Sequence, residues 1–404
     1  MKKILFIVLD GAADKERSAY KFANKPFLNK FVANGVGGLI NNELGSHPDS
    51  AISNWCLLGY TKDEYPGRGL FEALGIGITP KKGEVYVRGN FATVKEVVEK
   101  TAQGEFCPRL QVIDRRAGRD ETGLEEIVKD ISHNNELTNI DGIKFEVHKS
   151  VGHRVVIIMK GNTSADISDS DPGESEADVQ YIKALNRTSA ALHTARALNK
   201  WSMEVYKFLK THPINRRREI KANFILTRGS GSYKFIKPFK IKTGMKGAVV
   251  AGSPVIKGIG AAMGMDVINV DGATAMLRTN LAGKVKAAIS ALANHDFVLL
   301  HVLAPDIAAH DKILNKKIKI LEQIDNVWFK EIAENVDFSK TVLVVTSDHI
   351  TDVWTGQHTA GTMPFLIYTD DIEKNGIISF NEESCKFGPE IDIEDFFEEV
   401  QRFI

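Results

Sequence analysis

Several short runs of this chain are apolar at nearly every position, and the chemistry-bearing residues follow directly on them. Ile4–Leu9 runs into Asp10-Gly11, Phe297–Val302 precedes Asp306 and His310, and Thr341–Thr346 leads to Asp348-His349. A strand with one wet face alternates apolar and polar residues. A strand apolar throughout is buried on both faces, as in a parallel sheet covered by helices. Ala248–Ala251 and Val267–Val270 are runs of the same kind. Between the runs lie helical stretches. Lys316–Ile332 sets Ile318, Leu321, Ile324, Val327 and Trp328 on one stripe. Val179–Lys210 reads as a second long helix. This alternation predicts an α/β fold with a doubly wound, mostly parallel sheet.

The middle of the chain breaks that pattern. A strand at Leu110–Ile113, a helix at Gly123–Ile131 and strands at Phe145–Val147 and Arg154–Met159 predict a small α+β piece. The segment Asn162–Glu174, rich in Ser, Asp, Asn and Gly, reads as a loop or linker. The expected organisation is a main domain of residues 1–109 and 176–404 with residues 110–175 inserted.

Bulk composition narrows the function. The 404 residues carry 52 Lys plus Arg and 52 Asp plus Glu, so no net charge favours a nucleic-acid partner. The three cysteines, Cys56, Cys107 and Cys385, are odd in number and widely spaced, which predicts reduced thiols in a cytoplasmic protein. Asp10 ends the first apolar run after six residues, too short for a signal peptide core or a membrane span.

Taken singly, the polar residues after the runs have bland readings. Asp-Gly after a strand is commonly a turn, Asp-His a cap beside a surface histidine, and a loop histidine such as His358 nothing at all. Together they deliver three carboxylates and three imidazoles, Asp10, Asp306, His310, Asp348, His349 and His358, to one edge of one sheet. Asp306 and His310, four apart, share a helical face. Mixed Asp/His ligation without thiolate suits Mn²⁺, Zn²⁺ or Co²⁺. Six donors exceed what one catalytic ion needs, and suit two ions about 4 Å apart that clamp a transferring phosphoryl group. The nucleophile would be Ser50 in His47-Pro48-Asp49-Ser50-Ala51, at the start of an apolar helix. As a bare serine there, its plain reading is an N-cap. Gly258-Ile-Gly260-Ala-Ala-Met-Gly264 looks like a dinucleotide fingerprint, but its glycines fall within a helical segment rather than at the strand-to-helix turn.

These motifs together resemble the alkaline phosphatase superfamily, and within it the archaeal-type cofactor-independent phosphoglycerate mutases. The similarity runs over nearly the whole chain. It is carried by Val8-Leu9-Asp10-Gly11 with Asp14, Pro48-x-Ser50 to Gly59-Tyr60, Gly67-Arg68-Gly69-Leu70-Phe71-Glu72-Ala73 and Arg88-Gly89-Asn90-Phe91. It continues through Asp114-Arg115-Arg116-Ala117-Gly118-Arg119, Ser168-Asp169-Ser170-Asp171-Pro172, Asp271-Gly272-Ala273-Thr274 and Ala304-Pro305-Asp306 to His310-Asp311.

The resemblance implies interconversion of 2- and 3-phosphoglycerate through a phosphoserine at Ser50. It implies one metal held by Asp306, His310 and His358, and another by Asp10, Ser50, Asp348 and His349, with Mn²⁺ the first choice and Mg²⁺, Co²⁺ or Zn²⁺ as alternatives. Asp114, Arg115, Arg119 and Arg154 of the inserted domain would grip the glycerate, and Lys257 would stabilise phosphoryl charge. The inserted domain would act as a lid against water. A metal-dependent phosphatase or another phosphomutase is the alternative. Three positions depart from the family pattern: Ala51 stands where an acid usually follows the serine, Asn54 where a histidine is frequent, and Ala309 where glycine precedes the histidine.

Overall fold

The computed structural model describes residues 2–45, 47–100 and 106–404. They form two compact units: Met1–Tyr65 with Ile236–Ile404, and Pro66–Phe235.

The first unit is built on an eight-stranded sheet. Its order is Asp266–Ile268, Gly247–Val250, Phe297–Val302, Lys3–Leu9, Thr341–Thr346, Gly361–Tyr368, Val36–Asn42, Glu390–Asp392. Five of the seven pairings are parallel; Gly361–Tyr368 is antiparallel to both neighbours. The central runs are buried at every position in Phe297–Val302 and Thr341–Thr346. Successive side chains of Lys3–Leu9 serve opposite layers. Leu5, Ile7 and Leu9 join Trp328 and Phe329 in one core, while Phe6 meets Phe297 and Phe396. Burying one such side chain contributes about 1.5–3 kcal/mol, which is why a both-faces-apolar pattern commits the run to the sheet interior.

The helix expected at Lys316–Ile332 runs as Leu314–Ile324, a π turn at Asp325–Phe329, and Lys330–Asn335. Gly258 and Gly260 lie inside the helix Pro254–Ala262, not at a turn. No helix among the described residues is long and apolar enough to cross a membrane. Cys56 and Cys385 are free and buried, and burial pushes both thiols up to about 12. The side chain of Cys107 lies outside the described residues.

The second unit, Pro66–Phe235, is wider at both ends than the insertion expected at residues 110–175. The reason is the strand Glu84–Lys100, which pairs with Phe106–Asp114, Arg154–Lys160 and Phe224–Ser232 and so draws chain from both sides into one sheet. The Asn162–Glu174 segment lies within this unit rather than at its border. Ser170 shares a hydrogen bond with Thr227, and Gly229 donates its N–H to Asp169. The helix read from Val179 begins only at Ser189, capped by Thr188, and ends at Thr211. Residues before it are held in an extended path: Asn199 grips both the N–H and the carbonyl of Ile182.

Candidate active site

Three adjacent strands of the large sheet end side by side, and open α/β sheets place ligands at such carboxyl ends. Lys3–Leu9 is flanked by Phe297–Val302 and Thr341–Thr346. Asp10 follows the first strand. The helix Ala304–His310 follows the second and carries Asp306 and His310. Asp348-His349 follow the third. A short hairpin, Ile350–Asp352 with Gln357–Thr359, then returns His358 to the same place.

The side chains converge. His349 Nε2 lies 3.0 Å from Ser50 Oγ, 3.4 Å from Asp10 Oδ1 and 3.6 Å from Asp348 Oδ2. Asp306 Oδ1 lies 3.5 Å from His310 Nε2 and 3.4 Å from His358 Nε2, and those two nitrogens are 3.3 Å apart. Donor atoms of Asp10, Asp348 and His349 form one group within 4.8 Å of one another, and those of Asp306, His349 and His358 form a second. Thus all seven residues expected around the metals are together, with His349 common to both groups.

The local chain explains the aim of each group. Ser50 opens the helix Ser50–Leu57, but its N-cap is Asp49, whose carboxylate accepts from Ala51 N; the Ser50 hydroxyl is thereby left for the cluster. Asp348 is oriented by three donors: Gly11 N and His349 N on Oδ1, and Asn54 Nδ2 at 2.7 Å on Oδ2. His310 Nδ1 sits on Gly356 O and His358 Nδ1 on Pro48 O, each at 2.8 Å. A carbonyl can only accept, so each Nδ1 carries the proton and the neutral ring bears its lone pair on Nε2.

The electrostatics follow from crowding. Burial would raise Asp10, but His301 and His349 beside it hold it low. Burial would also raise Asp306, and His310, His358 and His349 overcome it. Asp348 moves up to about 6 through burial and the neighbouring Asp10. Burial alone would lower His349; Asp348 and Asp10 drive it up to about 10 instead.

Two residues here escaped the sequence reading. His301, wholly buried in its strand, puts Nε2 3.0 Å from Asp10 Oδ2. As the one polar residue in Phe297–Val302 it was visible, though nothing marked its direction. Thr351, also wholly buried, lies between Asp306 and His349. Asn54, at a departure from the family pattern, takes up Asp348 with its amide and also donates to Ser50 O. Lys257 belongs to this unit, with Nζ 2.9 Å from Asn269 Oδ1, and burial lowers it.

The second unit holds a basic cluster. Glu72, buried, lies 3.1 Å from Arg68 Nε and 3.7 Å from Arg88 Nη1. Burial would raise this carboxyl, but Arg68, Arg88 and Arg154 hold it down. His153 falls to about 2 through burial and then through Arg154, Arg88, Arg116 and Arg119. Arg119 and Arg154 are therefore in this group, joined by Arg68, Arg88 and Arg116. Arg115 is not: it makes a bidentate pair with Asp171 at 2.7 and 2.8 Å. Asp114 is occupied with a turn, accepting from Arg116 N and Gly118 N.

Fold and cluster define an α/β protein whose sheet edge gathers carboxylates, imidazoles and a serine hydroxyl. The comparisons give the family. Residues 33–215 match the family model of 2,3-bisphosphoglycerate-independent phosphoglycerate mutase. The chain is 37% identical to the 2,3-bisphosphoglycerate-independent phosphoglycerate mutase of Methanopyrus kandleri, over 96% of this chain and 92% of that one. It is 36% identical to enzyme 1 of that name from Methanocaldococcus jannaschii, over 96% and 93%. Among solved structures, a Pyrococcus horikoshii protein aligns with TM-score 0.78 at 25% identity, over 99% and 97% of the two chains. The cofactor-independent phosphoglycerate mutase of Thermoplasma acidophilum aligns with TM-score 0.63 at 29% identity, over the full length of both. The chain belongs to the 2,3-bisphosphoglycerate-independent phosphoglycerate mutase family and is an enzyme of that class.

Proposed function

We propose that this enzyme interconverts 2- and 3-phosphoglycerate through a phosphoserine at Ser50, beside two divalent ions. The observation that carries the reading is the Ser50 hydroxyl 3.0 Å from His349 Nε2, inside a buried cluster of carboxylate and imidazole donors.

The donor set fits cations. The lone pairs of His310 and His358 face each other at 3.3 Å, a repulsive arrangement that a positive ion between them reverses. Both carboxylate oxygens of Asp10 are buried and lack a well-formed hydrogen bond. We assign Asp306, His310 and His358 to one ion, and Asp10, Ser50, Asp348 and His349 to the other. Oxygen and imidazole donors without thiolate favour Mn²⁺, with Mg²⁺, Co²⁺ and Zn²⁺ compatible. Bound there, such ions would lower the pKa of the serine hydroxyl and neutralise phosphoryl charge.

Ser50 Oγ attacks phosphorus, the Oγ–P bond forms as the P–O bond to glycerate breaks, and the serine proton ends on the released glycerate oxygen. Return to the other hydroxyl reverses these steps, so phosphate and protons balance with no water consumed. For the glycerate we assign Arg119 and Arg154, joined by Arg68, Arg88 and Arg116. Planar guanidinium forks suit a carboxylate, and these arginines gather around Glu72 and His153. Asp114 and Arg115 support that group through the turn and through Asp171. Lys257 remains the candidate for phosphoryl charge. The second unit acts as the lid that keeps water from the phosphoserine.

The test is purified enzyme with 3-phosphoglycerate and Mn²⁺ and no added 2,3-bisphosphoglycerate, following 2-phosphoglycerate and inorganic phosphate together. The mutase reading expects 2-phosphoglycerate with little free phosphate, and its loss in Ser50→Ala. Free phosphate as the main product would make the enzyme a phosphatase, and an active Ser50→Ala would remove the phosphoserine.

A further inference from the structure

We infer that Thr351 is a positioning residue that sets the tautomer of His349 and couples the two halves of the candidate metal site. The inference rests on the metal reading given above.

The argument is one of proton count. The Thr351 hydroxyl donates to Asp306 Oδ1 at 2.8 Å. A hydroxyl has a single proton, so toward His349 Nδ1, 3.1 Å away, the same oxygen can only accept. Nδ1 must therefore carry the ring proton. Any second proton that Asp10 and Asp348 draw onto the ring sits on Nε2, so the nitrogen an ion could take is Nε2, the atom facing Ser50, Asp10 and Asp348. One hydroxyl thus holds Asp306 of one donor group and orients His349, which both groups share. It stands directly opposite His358 in the hairpin register.

The hydroxyl is itself held in place. Thr351 is wholly buried, its N–H donates to Ala13 O at 3.2 Å, and its carbonyl accepts from Lys317 Nζ at 3.0 Å. Lys317, also wholly buried, reaches Ala13 O at 3.2 Å and Asp14 Oδ1 at 2.8 Å with the same ammonium. The loop after the first strand and the hairpin are thereby clamped around one cation, and the Thr351 side chain has a fixed origin. Outer partners of this kind commonly carry a 10–100-fold share of metal affinity.

The experiment compares Thr351→Val, which keeps the shape and loses the hydroxyl, with Thr351→Ser, which keeps the hydroxyl. Mn²⁺ is titrated into the metal-free chains by calorimetry, and bound ions are counted by electron paramagnetic resonance. Thr351→Val should bind Mn²⁺ at least about tenfold more weakly, and Thr351→Ser within about threefold of the parent. In the Zn²⁺-loaded parent, the ¹⁵N shifts of His349 should report protonated Nδ1, and Thr351→Val should lose that signature. Should Thr351→Val not fold, Thr351→Ala set against Thr351→Ser makes the same comparison. Parent-like affinity in the hydroxyl-free variant overturns the inference. So does a serine variant as weak as the valine one, since packing of the methyl would then be the cause. A parent chain that binds no Mn²⁺ removes the metal reading itself, an outcome distinct from either.

Discussion

Replacing Gly11 by alanine tests how closely the cluster is built against the first strand's end. Gly11 has φ of +58°, in the left-handed region. A Cβ there would stand 2.5 Å from Thr351 Oγ1 and 2.8 Å from both Cβ and Oδ1 of Asp306. Two costs follow. Holding alanine in that conformation costs about 1–2 kcal/mol. Restoring contacts to about 3.4 Å then requires moving Thr351 or Asp306 by about 0.6–0.9 Å, an overpacking of about 1–3 kcal/mol. The total of about 2–5 kcal/mol, set against the unfolding entropy of a chain of 404 residues, should lower Tm by about 2–6 °C. A displacement near 1 Å at a reacting centre costs on the order of 10²-fold in rate. The assay is calorimetric Tm, bound Mn²⁺ per chain and kcat/KM. Gly244→Ala is the control, since that glycine has φ of +79° with nothing within 4 Å of a built Cβ and so carries only the backbone cost. If Gly11→Ala loses no more stability than Gly244→Ala and keeps its metal and rate, the close approach is not what holds the site.

Three further outcomes are expected. Lys284, wholly buried, donates to His301 O, and burial together with Lys257 lowers it to about 7 from an ordinary 10.5. Between those values the unfolded chain holds a proton that the folded one lacks, so this group makes stability rise with pH from about 7 to 10.5; Lys284→Met should remove that rise, read from urea midpoints at pH 7.5 and 9.5. A chelator should abolish activity and Mn²⁺ restore it, with the far-ultraviolet dichroism unchanged throughout; activity that survives with no metal bound would contradict the two-ion reading. Arg119→Ala should slow turnover and raise the ratio of free phosphate to 2-phosphoglycerate, and an unchanged ratio would remove the lid role from the second unit.

The parts of the fold legible in the sequence are those governed by burial. Phe297–Val302 and Thr341–Thr346 could be read as strands because a run buried on both faces must be apolar throughout. Val36–Asn42 has the same sheet as its home but not the composition. Gly37 and Gly38 keep it bare because a Cβ would meet Val32 at 2.8 Å and Pro389 O at 2.4 Å, the first from the preceding helix and the second from distant chain. The misread start of the long helix has a similar cause. Val179, Ile182 and Leu185 recur at helical spacing, but Asn199 and the bridge from Ile167 to Ala184 hold that stretch extended. The second unit's limits were hidden because Glu84–Lys100, which precedes the expected insertion, pairs with Phe224–Ser232, which follows it, and partner choice is not written in a single run.

The site divides along the same line. Residues whose own chemistry is scarce, Asp10, Asp306, His310, Asp348, His349 and His358, announce themselves by type and by following strands. The residues that aim them do not. Thr351 is one threonine among many until Asp306 is on one side of its hydroxyl and His349 on the other. Asn54 stands as a departure from the family pattern until its amide is found donating to Asp348. The direction of a hydrogen bond is a property of three atoms brought together by the fold. The residue types of the proposed ligands are therefore readable before the fold is known, and the hydrogen bonds that orient them only after it. On the proposed two-ion reading, which needs Nε2 of His349 open to an ion beside Ser50, the second is as necessary as the first. An imidazole with its proton on the wrong nitrogen offers the cluster a donor where an acceptor is needed.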